Sequence, residues 1–242
     1  MRLDRFLTAV GGLSRSRAGK AVRAGRVTVN GLVAALPEQK IDELHDTVLL
    51  DGSPLRYRAK HYVLLDKPVG VITAAKDPRQ PTVLDLLPPE VRRPGLMPVG
   101  RLDKDTSGLL LLTDDGDFAH RVISPKSGVP KVYRATVDGA LTEADVRLFA
   151  RGVLLRDGTQ CLPAGLQLLS PDTCLVTVQE GRYHQVRRML AAAGKPVLTL
   201  RRLSVGGLSL PADSVPGTWW ELDQDEVSLV CASCSNPQHW QE

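Results

Sequence analysis

At 242 residues the chain is too long for one small domain and has the length of one large domain or of two unequal ones. Hydrophobic residues make up 43% and charged residues 24%, a balance that excludes a disordered chain and matches one that buries a core. The net charge is only +4, but residues 1–30 carry Arg2, Arg5, Arg15, Arg17, Lys20, Arg23 and Arg26 against Asp4 alone, a local +6 that leaves −2 for the remainder. A basic helix is often no more than a solvated face, yet a field of this size at one end suits a polyanion, with nucleic acid the first candidate. No run approaches the roughly 18 to 20 apolar residues of a membrane span, and Met1-Arg2-Leu3-Asp4-Arg5 does not open like a secretion leader. Cys161, Cys174, Cys231 and Cys234 are too few for a disulfide framework, so a reducing cytoplasm is expected.

In chain order, Ser14 can cap a helix from Arg15 to Ala24, with Ala18, Ala21 and Val22 inward and Arg15, Lys20 and Arg23 toward solvent. Gly25 ends it. Val27 to Val33 then reads as a hairpin around Asn30-Gly31, since both turn residues tolerate positive φ. A strand around Val48 to Leu50 precedes a polar, basic stretch from Ser53 to Lys60, where a domain boundary is expected. Beyond it lie predicted strands at 62–65, 69–73, 109–113, 132–137 and 174–179, with helices near 142–151 and 183–193. This irregular mixture predicts an α+β fold with a mixed, mainly antiparallel sheet.

Two segments concentrate chemistry. Gly100-Arg101-Leu102-Asp103-Lys104-Asp105-Thr106-Ser107-Gly108 is a charged loop entering an apolar strand, which would set polar groups at the edge of a rigid sheet. Asp103 and Asp105 without a nearby His or Cys make a poor metal site, and Asp114-Asp115-Gly116-Asp117 reads as a turn and helix cap. Glu180-Gly181-Arg182-Tyr183-His184-Gln185-Val186-Arg187-Arg188-Met189-Leu190 reads as a helix placing His184, Arg187 and Arg188 within one turn and Val186, Met189 and Leu190 on the core. Taken alone, it is equally an ordinary amphipathic helix.

The opening Met1 to Leu7, with Ser14 to Arg17 and Ala24 to Gly31, resembles the S4 RNA-binding domain. The two charged units, with Leu65-Asp66-Lys67-Pro68-Val69-Gly70-Val71 and Lys131-Val132-Tyr133, resemble in order and spacing the pseudouridine synthases of the RsuA family. The resemblance runs from Met1 to about Val230. It implies an S4 domain at 1–58 and a synthase domain at 60–230, and residues 231–242, beyond it, read as a flexible tail. It further implies that Asp103 is the catalytic carboxylate, that Tyr133 stacks on uracil, and that Arg187 lies against Asp103 and favours its charged form. Arg2, Arg5, Arg15, Arg17, Lys20, Arg23, Arg26, Lys67, Arg101, Arg182 and His184 are the expected RNA contacts. Asp66 stands where relatives often carry Asn.

The implied reaction breaks the N1–C1′ bond of uridine, turns the base and joins C5 to C1′, so no cofactor and no metal are expected. A carboxylate can serve it as nucleophile, as base at C2′ or as stabiliser of positive charge on the sugar. The expected partner is ribosomal RNA or a pre-ribosomal subunit particle, met by a monomer away from membranes. Ser124-Pro125-Lys126 and Val215 to Trp220 lie nearer the small-subunit type. The alternatives are a large-subunit enzyme and a non-catalytic assembly factor. In the tail, Cys231, Cys234 and His239 fall short of four zinc ligands, so no metal or redox site is expected there.

Overall fold

The basic N-terminal segment folds because its small and apolar residues recur on one side of two helices. The computed structural model describes residues 1–55 and 60–232, and the chain divides into the units Met1–Ala59 and Lys60–Glu242. In the first, α1 (Leu3–Val10) and α2 (Arg15–Arg23) bury Leu3, Phe6 and Leu7 with Ala18, Ala21 and Val22. The Ser14 hydroxyl caps α2 by accepting from the Arg17 amide at 3.4 Å. Strands β1 (Val27–Val29) and β2 (Leu32–Val33) form the expected hairpin, with φ of 52° at Asn30 and 82° at Gly31. They continue through β3 (Val48–Leu50) and β4 (Ser53–Leu55) into a sheet ordered β2-β1-β3-β4.

The second unit is built on one mixed sheet. Its elements are β5 (Tyr62–Lys67), β6 (Met97–Pro98), β7 (Ser107–Thr113), α3 (Gly116–Ile123), β8 (Lys131–Val137), α4 (Glu143–Arg151), β9 (Gly165–Ser170), β10 (Thr173–Val178), α5 (Gln185–Ala192), β11 (Val197–Val205), β12 (Leu208–Ser209), β13 (Trp219–Glu221) and α6 (Gln224–Ala232). The sheet runs β13-β5-β7-β11-β8-β10-β9, with β6 beside β7 and β12 beside β11. All pairs are antiparallel except β7 with β11, where Ser107 faces Arg201 and Gly108 faces Arg202. This is the α+β, mainly antiparallel architecture that the strand pattern predicts.

Strand β7 is buried on both faces, which explains its unbroken apolar run. Leu109 and Leu111 pack with Phe118, Val122 and Val205, whereas Leu110 and Leu112 pack with Val63, Leu65, Val83 and Leu87. Farther along the sheet, Val176 and Val178 bury against Val186, Met189 and Leu190 of α5. The carboxylate of Asp115 caps α3 by accepting from the amides of Asp117 and Phe118, both at 3.1 Å, so the 114–117 segment is the turn and cap expected of it.

Three expectations about the fold need correction. Residues 69–73 form no strand. Their backbone bonds go elsewhere, the Gly70 amide to the Lys104 carbonyl at 2.8 Å and the Ile72 amide to the Pro81 carbonyl at 3.1 Å. Helix α5 starts at Gln185, leaving His184 before it with φ 49° and ψ 34°. Helices α1 and α6 and strands β4, β6, β9, β11, β12 and β13 have no counterpart among the elements that the sequence predicts. Cys231 lies in α6, half-buried against the core, so the expected tail does not begin there; Cys234 and His239 lie outside the described residues.

Candidate active site

The loop ahead of β7 is pinned from beneath by a buried cation. Lys67 closes β5 with no exposed surface, and its ammonium donates to the carbonyls of Pro68 and Thr106 at 2.9 Å, of Asp103 at 3.1 Å and of Lys104 at 3.5 Å. Burial pushes this ammonium down to about 8, while the Asp103 and Asp105 carboxylates raise it. Lys67 therefore offers no surface for the RNA contact expected of it, since its charge is turned to these backbone carbonyls, of which those of Asp103 and Lys104 also accept from the Thr106 and Gly70 amides. Thr73 adds a second tie, donating to the Leu102 carbonyl at 2.6 Å and accepting from its amide at 3.2 Å.

At the other end of the loop, Gly108 is required by a close approach. Its φ is 106°, and a Cβ there would meet the Arg202 carbonyl oxygen at 2.2 Å and the Arg202 nitrogen at 2.7 Å. The missing side chain lets β11 lie directly against β7 and brings Arg202 beside the loop.

Above these supports opens a cavity of about 900 Å³, within the usual size of a small-ligand site, lined by Asp103, Arg101, Tyr133, Arg182, His184 and Arg202 among others. Asp103 is partly exposed, and its Oδ1 lies 3.1 Å from Nε2 of His184. His184 holds a left-handed conformation that costs roughly 1–2 kcal/mol in a non-glycine residue, and its ring stacks on Tyr183 at 4.0 Å between centroids. Tyr133 stands on β8 opposite Arg202, whose guanidinium donates to the phenol oxygen at 3.4 Å and lies 5.9 Å from the ring centroid.

Arg187 does not lie against Asp103 as expected. Its Nη2 reaches Asp105, at 3.1 Å from Oδ2 and 3.1 Å from the carbonyl oxygen, so it fixes the far side of the same loop. The two acids sit two positions apart in a turning loop, and the turn directs them to different partners. Arg182 lines the cavity with its Nε bonded to Glu180 at 2.8 Å, and Glu180, nearly buried, also accepts from Gln185 and from the Leu162 amide. Arg101 is exposed on the cavity wall. Asp66 is fully buried and accepts from Arg201 at 2.6 Å and from Ser214 at 2.8 Å, which accounts for a carboxylate at that position.

The remaining expected RNA contacts lie in the first unit. Arg5, Arg15, Arg17, Lys20 and Arg23 are exposed and form no ion pair with a described residue, whereas Arg2 pairs with Asp4 at 2.8 Å and Arg26 with Asp51. Among the described residues, no group of three or more His, Cys, Asp or Glu is placed to hold a metal ion.

A family model described as RNA pseudouridylate synthase matches residues 61–192, and one described as S4 domain matches residues 1–48. The chain belongs to the RNA pseudouridine synthase family. Ribosomal small subunit pseudouridine synthase A of Escherichia coli is 40% identical over 232 residues, spanning 95% of this chain and 100% of that protein. An uncharacterized RNA pseudouridine synthase of Bacillus subtilis is also 40% identical, over 95% of this chain and 98% of its own length. A crystal structure of a pseudouridylate synthase superposes with a TM-score of 0.67 at 35% identity, covering 95% of this chain and 99% of that one. This synthase therefore joins an S4 module to a catalytic unit in the order that the motifs imply.

Arg202 and His184 are the neighbours of Asp103 and Tyr133 at the cavity whose contacts the sequence does not show. The sequence suggests an RNA contact at His184, and the structure sets its ring against the Asp103 carboxylate. Arg202 has no motif of its own, and the signal that could locate it is the β-prone run Val197 to Leu200 after Gly194-Lys195-Pro196, which opens the strand that carries it.

Proposed function

We propose that this synthase converts uridine to pseudouridine in small-subunit ribosomal RNA, with Asp103 as the essential carboxylate and Tyr133 as the partner of the base. The observation that carries the catalytic part is the placement of Asp103, partly exposed at the wall of a cavity of about 900 Å³, on a loop that Lys67, Thr73 and Arg187 hold from three sides. Binding alone needs no carboxylate facing an anionic strand. The target class is supported by the identity, over the full length of the relative, to an enzyme named for the small subunit.

The target uridine leaves its stack at a cost of a few kcal/mol and enters the cavity. Asp103 then acts at C1′ or C2′ of the ribose while Tyr133, on the rigid centre of the sheet, stacks on the uracil ring and keeps it from escaping as it turns. Arg187 contributes by fixing Asp105 and thereby the loop. Arg5, Arg15, Arg17, Lys20 and Arg23 of the first unit, with Arg101 in the second, hold the phosphates of the surrounding RNA.

The test is single-turnover reaction of the full chain with transcribed small-subunit rRNA, scored by carbodiimide modification and primer extension. Wild type should yield one pseudouridine stop, and Asp103→Asn none, with RNA affinity changed by less than about threefold. A stop only in large-subunit RNA would refute the target, and wild-type turnover in Asp103→Asn would refute the catalytic assignment.

A further inference from the structure

The cavity wall holds a cation whose charge the described protein leaves unbalanced. Arg202 is 4% exposed, yet its polar contacts are the Leu109 carbonyl, 2.7 Å from Nε, and the Tyr133 hydroxyl, 3.4 Å from Nη1. Its Nη2 is buried without an acceptor. No described carboxylate forms an ion pair with it, whereas the nearby Arg182, His184 and Arg187 each face one. A guanidinium stays charged, and burying it unpaired is costly, so such a group persists where an anion joins it during function.

The reaction itself produces that anion. The C1′–N1 bond breaks with its electron pair leaving on the uracil, whichever of the carboxylate routes the sugar follows. The ring turns, and C5 returns the pair to C1′ as the new carbon–carbon bond forms. The hydrogen at C5 then leaves as a proton and a proton is restored to N1, so atoms and electrons balance with nothing oxidised. Between the two bonds the detached uracil carries a full negative charge spread over N1, O2 and O4. Tyr133, which faces Arg202 across the strand pair and touches its guanidinium, is the residue assigned to hold that ring.

We propose that Arg202 is a catalytic residue that stabilises the departing uracil anion, acting as the fixed positive charge of the cavity. The inference rests on the synthase reading above and adds to it the group that takes up the charge of the leaving base. A preset charge of this kind acts where charge develops and needs no reorganisation at that moment.

The experiment compares wild type, Arg202→Lys and Arg202→Met on an rRNA fragment bearing either uridine or 5-fluorouridine at the target. Fluorine withdraws electrons and makes the departing anion more stable by itself. Because fluorine cannot leave C5 as a proton, disappearance of the starting nucleoside in a single turnover is the readout for both. With uridine, Arg202→Met should be slower by at least about 100-fold, the scale of losing one charge-stabilising donor. Arg202→Lys should recover at least tenfold of this, and RNA affinity should change by less than threefold. With 5-fluorouridine the Arg202→Met deficit should shrink at least tenfold. The two substrates are compared within one variant, so partial misfolding cancels from the ratio, and Arg202→Lys supplies it if Arg202→Met does not accumulate. An equal deficit on both substrates, or a loss confined to RNA affinity, would overturn the assignment while leaving the synthase reading intact. Wild-type protein inactive on uridine would instead overturn the reading on which it rests.

Discussion

Gly108→Ala tests how the sheet holds the site. A Cβ at this position would lie 2.2 Å from the Arg202 carbonyl oxygen, and side-chain carbons essentially never approach closer than 3.0 Å, so β7 and β11 must separate by at least 0.8 Å. Their pairing covers only Ser107–Arg201 and Gly108–Arg202, so a shift of that size disrupts the whole parallel contact. Losing about two backbone hydrogen bonds costs roughly 2 kcal/mol, and holding alanine at a φ of 106° adds roughly 1–2 kcal/mol. The expected loss is therefore about 3–4 kcal/mol, or about 6–16 °C in melting temperature for a unit of this size. Calorimetry of the full chain should show the fall, and single-turnover kinetics should show slower isomerisation, because Arg202 moves with β11. Gly116→Ala is the control, since a Cβ there meets nothing within 4 Å and its φ is not positive. A Gly108→Ala protein that melts within 2 °C of the Gly116→Ala control and turns over normally would refute the close-approach account (~1 kcal/mol or less).

Two other perturbations probe separate parts of the molecule. Lys67→Met should lower stability at pH 7 by about 2–4 kcal/mol, because the loop loses the ammonium that ties the Pro68, Asp103 and Thr106 carbonyls together. The Lys67 ammonium is depressed from 10.5 to about 8 on folding, so between those values the unfolded chain binds more protons and wild-type stability relative to Lys67→Met should rise with pH; parallel urea-denaturation profiles would contradict this. In the first unit, reversing Arg15, Lys20 and Arg23 to Glu should weaken RNA binding and reduce the slope of log affinity against log salt by about 2, at roughly 0.7–0.9 per phosphate contact. Fluorescence anisotropy across a salt series reads that slope, and an unaltered slope would remove these residues from the interface.

Local chemistry made much of this molecule legible in the sequence. Asn30-Gly31 announces its hairpin because both residues accept positive φ, and Ser14 and Asp115 announce helix starts because their oxygens satisfy open amides. Helix α1 gives no such signal: Arg2 stands at its start with no side-chain cap. Strand β11 was hidden by the adjacent Arg201 and Arg202, which look like a polar loop until one is seen to bond Asp66 and the other to enter the cavity wall. The motif positions placed Asp103 and Tyr133 at one cavity, but contacts set by tertiary geometry were beyond reach. Besides the carbonyl of Pro68, Lys67 is held by carbonyls 36 to 39 residues away, and its sequence surroundings look the same as those of a lysine that grips phosphate. The exchange of Asp105 for Asp103 as the partner of Arg187 likewise depends on how one loop turns.

The single parallel joint in the sheet also dictates when the enzyme comes into being. Leu109 and Arg202, which it brings together, are 93 residues apart in the chain, and closing so long a loop is slow compared with forming the β5–β7 pair beside it. Until β11 has been synthesised and docked, the sheet is in two pieces, β5-β7 with β6 and β8-β10-β9, and β8 presents a bare edge from Lys131 to Val137, the kind of surface on which nascent chains associate with one another. Docking of β11 covers that edge and delivers Arg202 to the cavity in one event. A chain halted before residue 201 is thus an unfinished sheet with a sticky margin, not a weaker synthase, and recovery of activity on refolding should coincide with the slowest phase.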